Sequence, residues 1–287
     1  MGNIKMKFSI IIPMYNSSAN IGSLIEQLKN QTYPEFECFL IDDGSTDSTV
    51  SECKNKITDD SRFMLICHKQ NKGVSAARNK GLEKASGDYL IFVDSDDNIE
   101  ENLLSEVLKV ADGQIIQYNF FAISEGKIKQ WTKSKGAFDI KAGKMGVVWR
   151  HAIPRKKITK LRFDETISGG EDYLFLNEAL IKISSVYVLS KCLYHHKFDC
   201  KTSIMNNVNL NLLNQQIIAT EKVKELYKEQ ISKENNKAFK IRENWCKGEI
   251  ILYAMNIFDS QEGCIPQLSH LRILWKRIIK KLVAVFS

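Results

Sequence analysis

Several fingerprints of nucleotide-binding proteins are missing from this chain. Its 287 residues contain neither a G-x-G-x-x-G nor a G-x-x-x-x-G-K-[ST] segment. The first absence argues against a dinucleotide fold of the glycine-fingerprint type, and the second against a P-loop NTPase. A bound diphosphate would then need another cradle, made by a metal ion or by Arg and Lys side chains. A zinc site is not expected either, because the seven cysteines form no C-x-x-C pair. They are odd in number and scattered, so reduced thiols in a cytoplasmic protein are expected. Cys38 and Cys67 lie in apolar runs and read as small core residues. No run of 18 apolar residues occurs, so no membrane-spanning helix is expected. The Met-Gly-Asn-Ile-Lys-Met-Lys start does not resemble a signal peptide. Repeats and low-complexity segments are absent too.

Acids and bases nearly balance except toward the C-terminal end. The net charge is +7, and Arg272, Lys276, Arg277, Lys280 and Lys281 supply five of those charges with no acid among them. The remainder is close to neutral, which argues against a nucleic-acid-binding surface. A hydrophobic fraction of 44% and a charged fraction of 26% are ordinary for a globular protein able to bury a sizeable core.

What is present is an alternation of strands and helices. Phe8 to Ile12 is a β-branched and aromatic run that Pro13 should end. Ser17 and Ser18 are N-cap candidates for a helix carrying Ile21, Leu24, Ile25 and Leu28 at helical spacing. Strands follow at 37–41, 63–67, 89–93 and 115–119, with helices at 75–84 and 101–111 between the later ones. This order predicts a mostly parallel sheet covered on both faces. Ligands on such sheets bind beyond the carboxyl ends of the strands. Those ends read Pro13-Met14-Tyr15-Asn16, Asp42-Asp43 and Asp94-Ser95-Asp96-Asp97. Acids that cap a buried strand suit a hard divalent cation such as Mg²⁺ or Mn²⁺. A solvated turn is the plainer alternative, since Asp and Asn favour turns. Arg78, after the Gly73 loop, is either a phosphate contact or an exposed helix charge.

The second half is less regular. Residues 127–162 mix cations, glycines and single aromatics, and read as loops, hairpins or an acceptor surface. Gly169 and Gly170 permit a tight turn. Glu171 and Asp172 then open a helix. There they either complement its dipole or present a general base. A short edge strand is expected at 186–189, followed by Tyr194-His195-His196, where a histidine is either loop structure or a ligand. Two long helices are expected at 207–230 and 236–258.

Taken in order, these segments resemble the family 2 glycosyltransferases. The resemblance rests on Phe8-Ser-Ile-Ile-Ile-Pro-Met-Tyr-Asn16, Gln31-Thr-Tyr-Pro34, Ile41-Asp-Asp-Gly-Ser-Thr-Asp47, Asn71-Lys-Gly-Val-Ser-Ala-Ala-Arg-Asn79, Gly87-Asp-Tyr-Leu-Ile-Phe-Val-Asp-Ser-Asp-Asp97 and Gly170-Glu-Asp-Tyr-Leu-Phe175. It implies a GT-A, Rossmann-like α/β fold over residues 1–205, with a donor half at 1–120 and an acceptor half at 121–205. Residues 206–287 would form a helical C-terminal region. The implied activity is inverting transfer of a sugar from a nucleotide diphosphate donor, a UDP-hexose or UDP-N-acetylhexosamine, to a glycan or lipid-linked glycan in cell-surface polysaccharide assembly. Pro13, Tyr15, Asn16, Asp42 and Asp43 would contact the nucleoside, and Arg78 would lie near the pyrophosphate. Asp94, Ser95 and Asp96 form the D-x-D segment. Asp96 and Asp97, with His196, would face an Mn²⁺ or Mg²⁺ ion, and Asp172 falls on the family's catalytic base. The Q-x-x-R-W motif of processive members is missing, which implies single additions. A non-catalytic nucleotide-sugar-binding relative and a metal-dependent nucleotidyltransferase are the rival readings.

The tail adds a last expectation. Leu268, Leu271, Trp275, Ile278, Ile279, Leu282 and Phe286 share one helical face, beside Arg272, Lys276 and Lys280. That pattern suits an interfacial helix on anionic lipid, and so a peripheral place on the inner face of the cell membrane. The alternative is that the same face packs on the catalytic domain.

Overall fold

The computed structural model describes residues 5–124, 126–131, 136–138, 146–197 and 210–228. Four parallel strands form its first half: β1 (Phe8–Met14), β2 (Phe36–Asp42), β3 (Phe63–Cys67) and β4 (Tyr89–Phe92). They stand in the order β3-β2-β1-β4. The helices between them are α1 (Ser18–Lys29), α2 (Thr49–Ile57) and α3 (Val74–Lys84). Next come β5 (Asn98–Ile99), α4 (Leu103–Leu108), β6 (Ile115–Ser124), β7 (Lys127–Trp131), β8 (Gly136–Phe138) and β9 (His151–Pro154). Helix α5 (Glu171–Ile183), β10 (Val186–Lys197) and α6 (Leu210–Leu226) complete the described elements. The sheet continues past β4 as β9-β6-β10-β5. Strand β9 is antiparallel to both β4 and β6, so β6 again runs with β1 and β4. The parallel α/β expectation therefore holds, with an antiparallel strand inserted at the centre.

Alternation along β1 explains why helices cover both faces. Ile10 and Ile12 point into one core with Ile21, Leu24, Ile25 and Leu28 of α1, Cys53 of α2 and Leu103, Leu104 and Val107 of α4. Ile11 points into the other with Ala77 of α3 and Phe175, Leu176 and Ala179 of α5. Helix α3 lies so close to β1 that a side chain at Gly81 would run into Ile11.

At the foot of the sheet one carboxylate ties three segments together. Glu37 accepts hydrogen bonds from Lys7 Nζ (2.5 Å), Ser9 Oγ (2.7 Å), Ser86 N (2.6 Å) and Gly87 N (3.1 Å). Burial alone would raise its pKa, but these donors hold it down from 4.5 to about 2. A depressed folded-state value means stability that is present above the unfolded pKa and lost as pH falls through the folded one. Glu37→Gln should therefore cost about 1–3 kcal/mol at pH 7, from the size of that shift. The gap to the parent should narrow in urea melts below pH 4.5 and close near pH 2. A gap that stays constant with pH would refute the assignment.

The structure corrects several expectations. The predicted edge strand at 186–189 is the start of β10, which runs 12 residues between β6 and β5. Its register slips at Leu189/Cys192 and Cys192/Tyr194, and these irregularities broke the pattern that sequence periodicity relies on. His195 and His196 thus belong to a strand, not to a loop. Strand β9 lay hidden among the cations of the 127–162 stretch because it has only four residues. Pro13 does not end β1, which stays paired with β2 through Met14 although β4 has ended at Phe92. Cys67 is exposed, whereas Cys38 is buried as expected. Helix α4 is shorter than predicted, and α6 covers the first of the two long C-terminal helices. The second, and the basic amphipathic tail, lie outside the described residues. No described helix is long and apolar enough to cross a membrane.

Candidate active site

The rim formed by the ends of β1, β2 and β4 gathers most of the residues singled out by the sequence. Asn16, two residues after the end of β1, adopts a left-handed backbone with φ of 51°. Its N–H donates to Ser45 Oγ (2.9 Å), and its Oδ1 accepts from Thr46 N (2.9 Å). The loops after β1 and β2 are thereby locked together, with Tyr15 left exposed beside Pro13.

The two adjacent acids after β2 behave differently. Asp43 is buried, and its carboxylate accepts from Lys72 N (3.0 Å) and Gly73 N (2.8 Å) while facing His68 Nδ1 (2.7 Å). It thus fixes the 68–73 loop that leads into α3. Gly44 serves the same junction: it has φ of 76°, and a Cβ there would stand 2.8 Å from Asn71 N. Asp42 is also buried and accepts from Ser45 N (3.1 Å) through Oδ2, but its buried Oδ1 has no partner among the described residues.

Arg78 is not an exposed helix charge. It is 5% exposed, with Nη1 on Glu171 Oε1 (2.8 Å) and Nη2 on Asp94 Oδ1 (3.2 Å). Burial disfavours its charge, yet Asp94, Glu171 and Asp172 together raise its pKa. One guanidinium therefore joins the acidic segment after β4 to the acids that open α5.

Behind that acidic segment lies a second network. The turn carries the bond Asp97 N→Asp94 O (3.1 Å), which folds Asp97 back beneath it. The Asp97 carboxylate is fully buried. It accepts from Tyr194 Oη (2.8 Å), His196 Nδ1 (2.8 Å) and Lys197 N (2.9 Å). Tyr194 Oη in turn accepts from Asp94 N (3.0 Å). The indole of Trp149 stacks on both Tyr194 and His196, each at 4.7 Å. Burial opposes protonation of His196, but the hydrogen bond and charge of Asp97, with Asp94 and Asp96, raise its pKa overall. For Asp94 loss of hydration dominates and raises its pKa, against Arg78 and with Asp96. Ser95 Oγ meets Ser17 Oγ at 2.7 Å. Ser17 occupies the N-cap position of α1 but makes no side-chain cap bond, so its hydroxyl serves the rim instead.

Glu171 and Asp172 begin α5 as anticipated, after Gly170 in a left-handed conformation with φ of 83°. Asp172 Oδ1 accepts from Tyr173 N (2.8 Å), which turns its side chain back over the helix start. Sequence reasoning missed Trp149 and Tyr194 as site residues, and Glu171 as the partner of Arg78. The i, i+2 spacing of Tyr194 and His196 was the available signal, since it places both on one face of a strand.

The donor set around the acidic segment is oxygen-rich, with one imidazole, and suits Mg²⁺ or Mn²⁺. Among the described residues, no three His, Cys, Asp or Glu side chains are already arranged to hold a cation. Diphosphate oxygens would have to complete the shell, as is usual for Mg²⁺ in nucleotide sites.

Comparison with known proteins accords with this geometry. Residues 9–179 match the family described as Glycosyl transferase family 2. An uncharacterized glycosyltransferase of Haemophilus influenzae is 36% identical over 188 residues, which is 62% of this chain and 74% of that protein. The Staphylococcus aureus poly(ribitol-phosphate) beta-N-acetylglucosaminyltransferase TarS is 28% identical over 205 residues, 67% of this chain but only 35% of TarS. The crystal structure of TarS 1–349 in complex with UDP-GlcNAc superposes with a TM-score of 0.67 at 20% identity, covering 89% of this chain and 74% of that one. The mannosyltransferase PcManGT of Pyrobaculum calidifontis, in complex with GDP-Man and Mn²⁺, gives 0.64 at 12% identity, covering 98% and 85%. Both neighbours show a shared fold.

Proposed function

The chain belongs to glycosyl transferase family 2 and is a glycosyltransferase of GT-A fold, and on that premise we propose a single-step, inverting transfer from a nucleotide diphosphate sugar to a glycan hydroxyl. The observation that carries this reading is the Arg78 bridge. It brings the acids after β4 and the acids opening α5 to one guanidinium, so that leaving-group and acceptor chemistry face one another. A UDP-sugar is the proposed donor, supported by the UDP-GlcNAc bound to TarS. The poly(ribitol-phosphate) in the name of TarS supports a polymer as the acceptor class.

In this reading Tyr15 and Asn16 face the nucleoside. Pro13, still within β1, stands just before them, while Asp43 holds the 68–73 loop and Asp42 lies beside it. Asp94, Asp96 and His196 would hold the divalent cation. Asp97 stands behind His196 and orients it, as carboxylates commonly orient ligating imidazoles. When bound, the cation supplies positive charge for the departing diphosphate. Asp172 takes the proton of the acceptor hydroxyl as that oxygen attacks the anomeric carbon. One base with no protein nucleophile gives a single displacement, and hence inversion.

Product analysis with a panel of sugar nucleotides tests the reaction class. Release of nucleoside diphosphate together with a glycosylated acceptor is expected. Pyrophosphate would indicate nucleotidyl transfer, and binding without turnover a non-catalytic relative. Asp96→Ala should remove the Mn²⁺ dependence of UDP binding measured by calorimetry. UDP affinity that is the same with and without metal in the parent protein would defeat the metal assignment.

A further inference from the structure

We propose that α6, which lies beyond the family-matched residues 9–179, is a positioning element for Asp172, and that it acts through contact of Leu212 with Gly169. The proposal rests on Asp172 being the base, and it concerns what places that base.

The segment from Asp164 to Gly170 leads directly into α5, and α6 grips it at several points. A Cβ at Gly169 would stand 2.5 Å from Leu212 Cδ1 and 3.0 Å from the Leu212 carbonyl oxygen. Only a residue without a side chain fits that approach, and this is a physical requirement for glycine distinct from backbone conformation. Leu212 and Leu213 are themselves buried. Ile167, Tyr173 and Leu174 form a small core with Ala219, Val223 and Tyr227 of α6. Lys222 Nζ pairs with Asp164 Oδ2 at 2.6 Å. The loop is therefore held at its start by an ion pair, in its middle by Ile167 and at its end by Gly169. Gly170 next turns left-handed, and α5 starts with Glu171 and Asp172. Any displacement at Gly169 passes to Asp172 within three residues.

This arrangement separates two jobs. Donor-side groups stand on the ends of β1, β2 and β4, whereas α6 packs against α5 and the segment that leads into it. Acceptor-side deprotonation depends on a loop whose position α6 dictates. Misplacing a catalytic group by about 1 Å can cost on the order of 10²-fold in rate. A few tenths of an ångström at Gly169 should then register in kcat, but not in donor binding.

Gly169→Ala is expected to lower kcat by about 10- to 100-fold, leaving the donor KM and the UDP-induced rise in Tm unchanged. Leu212→Ala withdraws the support from the other side and should lower kcat by about fivefold, a smaller shift on the same scale. The double variant relieves the clash, because Leu212→Ala removes the Cδ1 that the methyl group introduced at position 169 would meet. Its kcat should exceed that of Gly169→Ala alone, a coupling that independent sites do not show. Leu212→Ala also keeps the test open should Gly169→Ala fold poorly. Wild-type kcat in both single variants, or losses that simply multiply in the double variant, would overturn the proposal. Failure of the parent protein to transfer any sugar would instead overturn the functional reading, and substantial activity in Asp172→Asn would overturn the base assignment alone.

Discussion

Asp172→Asn should bind donor as the parent does and turn over about 10²–10⁴-fold more slowly, the usual range for removing a general base. The change is nearly isosteric, and the amide oxygen can still accept from Tyr173 N, the bond that sets the side chain in place. Helix α5 should therefore start as before. Its N-terminus loses one negative charge, worth about 0.3–1 kcal/mol at a helix start, too little to unfold the domain. The nucleoside contacts proposed for Tyr15 and Asn16 lie on another element and should be unaffected. Single-turnover kinetics with UDP-induced thermal shift as the binding control separates the two effects. A variant within about threefold of the parent rate, far inside the expected loss, would exclude Asp172 as the base. Weakened donor binding with kcat intact would assign it to the donor side instead.

Much of the fold was legible because its strands are short, apolar and regular. Phe8-Ser-Ile-Ile-Ile, Glu37 to Ile41 and Tyr89 to Val93 announce a buried parallel sheet by composition alone. The acids at their ends announce a site, since ligands gather beyond the carboxyl ends of such strands. What stayed hidden depends on long-range pairing. Strand β9 is four residues long and becomes a strand only because β4 and β6 flank it. Strand β10 contains register shifts, which erase the alternation that would have revealed its length. The same limit applies within the site. Asp94, Asp96 and Asp97 look equivalent in sequence, yet the turn after β4 buries Asp97 against Tyr194 and His196, whereas Asp94 and Asp96 keep partial exposure. Arg78 and Glu171 are 93 residues apart, and no local pattern pairs them. The acids that open α5 had a local signal, a pair of glycines before them, but only the family resemblance separates Asp172 from Glu171.

Replacing Arg78 by methionine should have the largest effect on stability. Methionine keeps much of the side-chain volume, but it removes the only cation paired with Asp94 and Glu171 among the described residues. Breaking a buried ion pair by deleting one partner costs about 3–5 kcal/mol, because the remaining charge is left uncompensated. Here two carboxylates would be left facing one another. The loss should depend on pH, and its sign follows from Asp94. Burial already raises the pKa of this group above its ordinary 3.8, and Arg78 is the first influence opposing that rise. Without the guanidinium the folded-state value climbs further. A carboxyl whose folded value is raised binds its proton more tightly when folded, so stability falls as pH rises above the unfolded value. The deficit of Arg78→Met relative to the parent should therefore be largest near pH 8 and shrink toward pH 4, as Asp94 becomes able to take up a proton. Arg78→Lys should fall between the two, since it restores the charge without the two-pronged geometry. Urea melts of the three proteins between pH 4 and 8 provide the check. A loss below about 1 kcal/mol at pH 8, within the range of ordinary surface pairs, would show that the bridge contributes little. A deficit that grows toward acid would show that the carboxylates are not what Arg78 compensates.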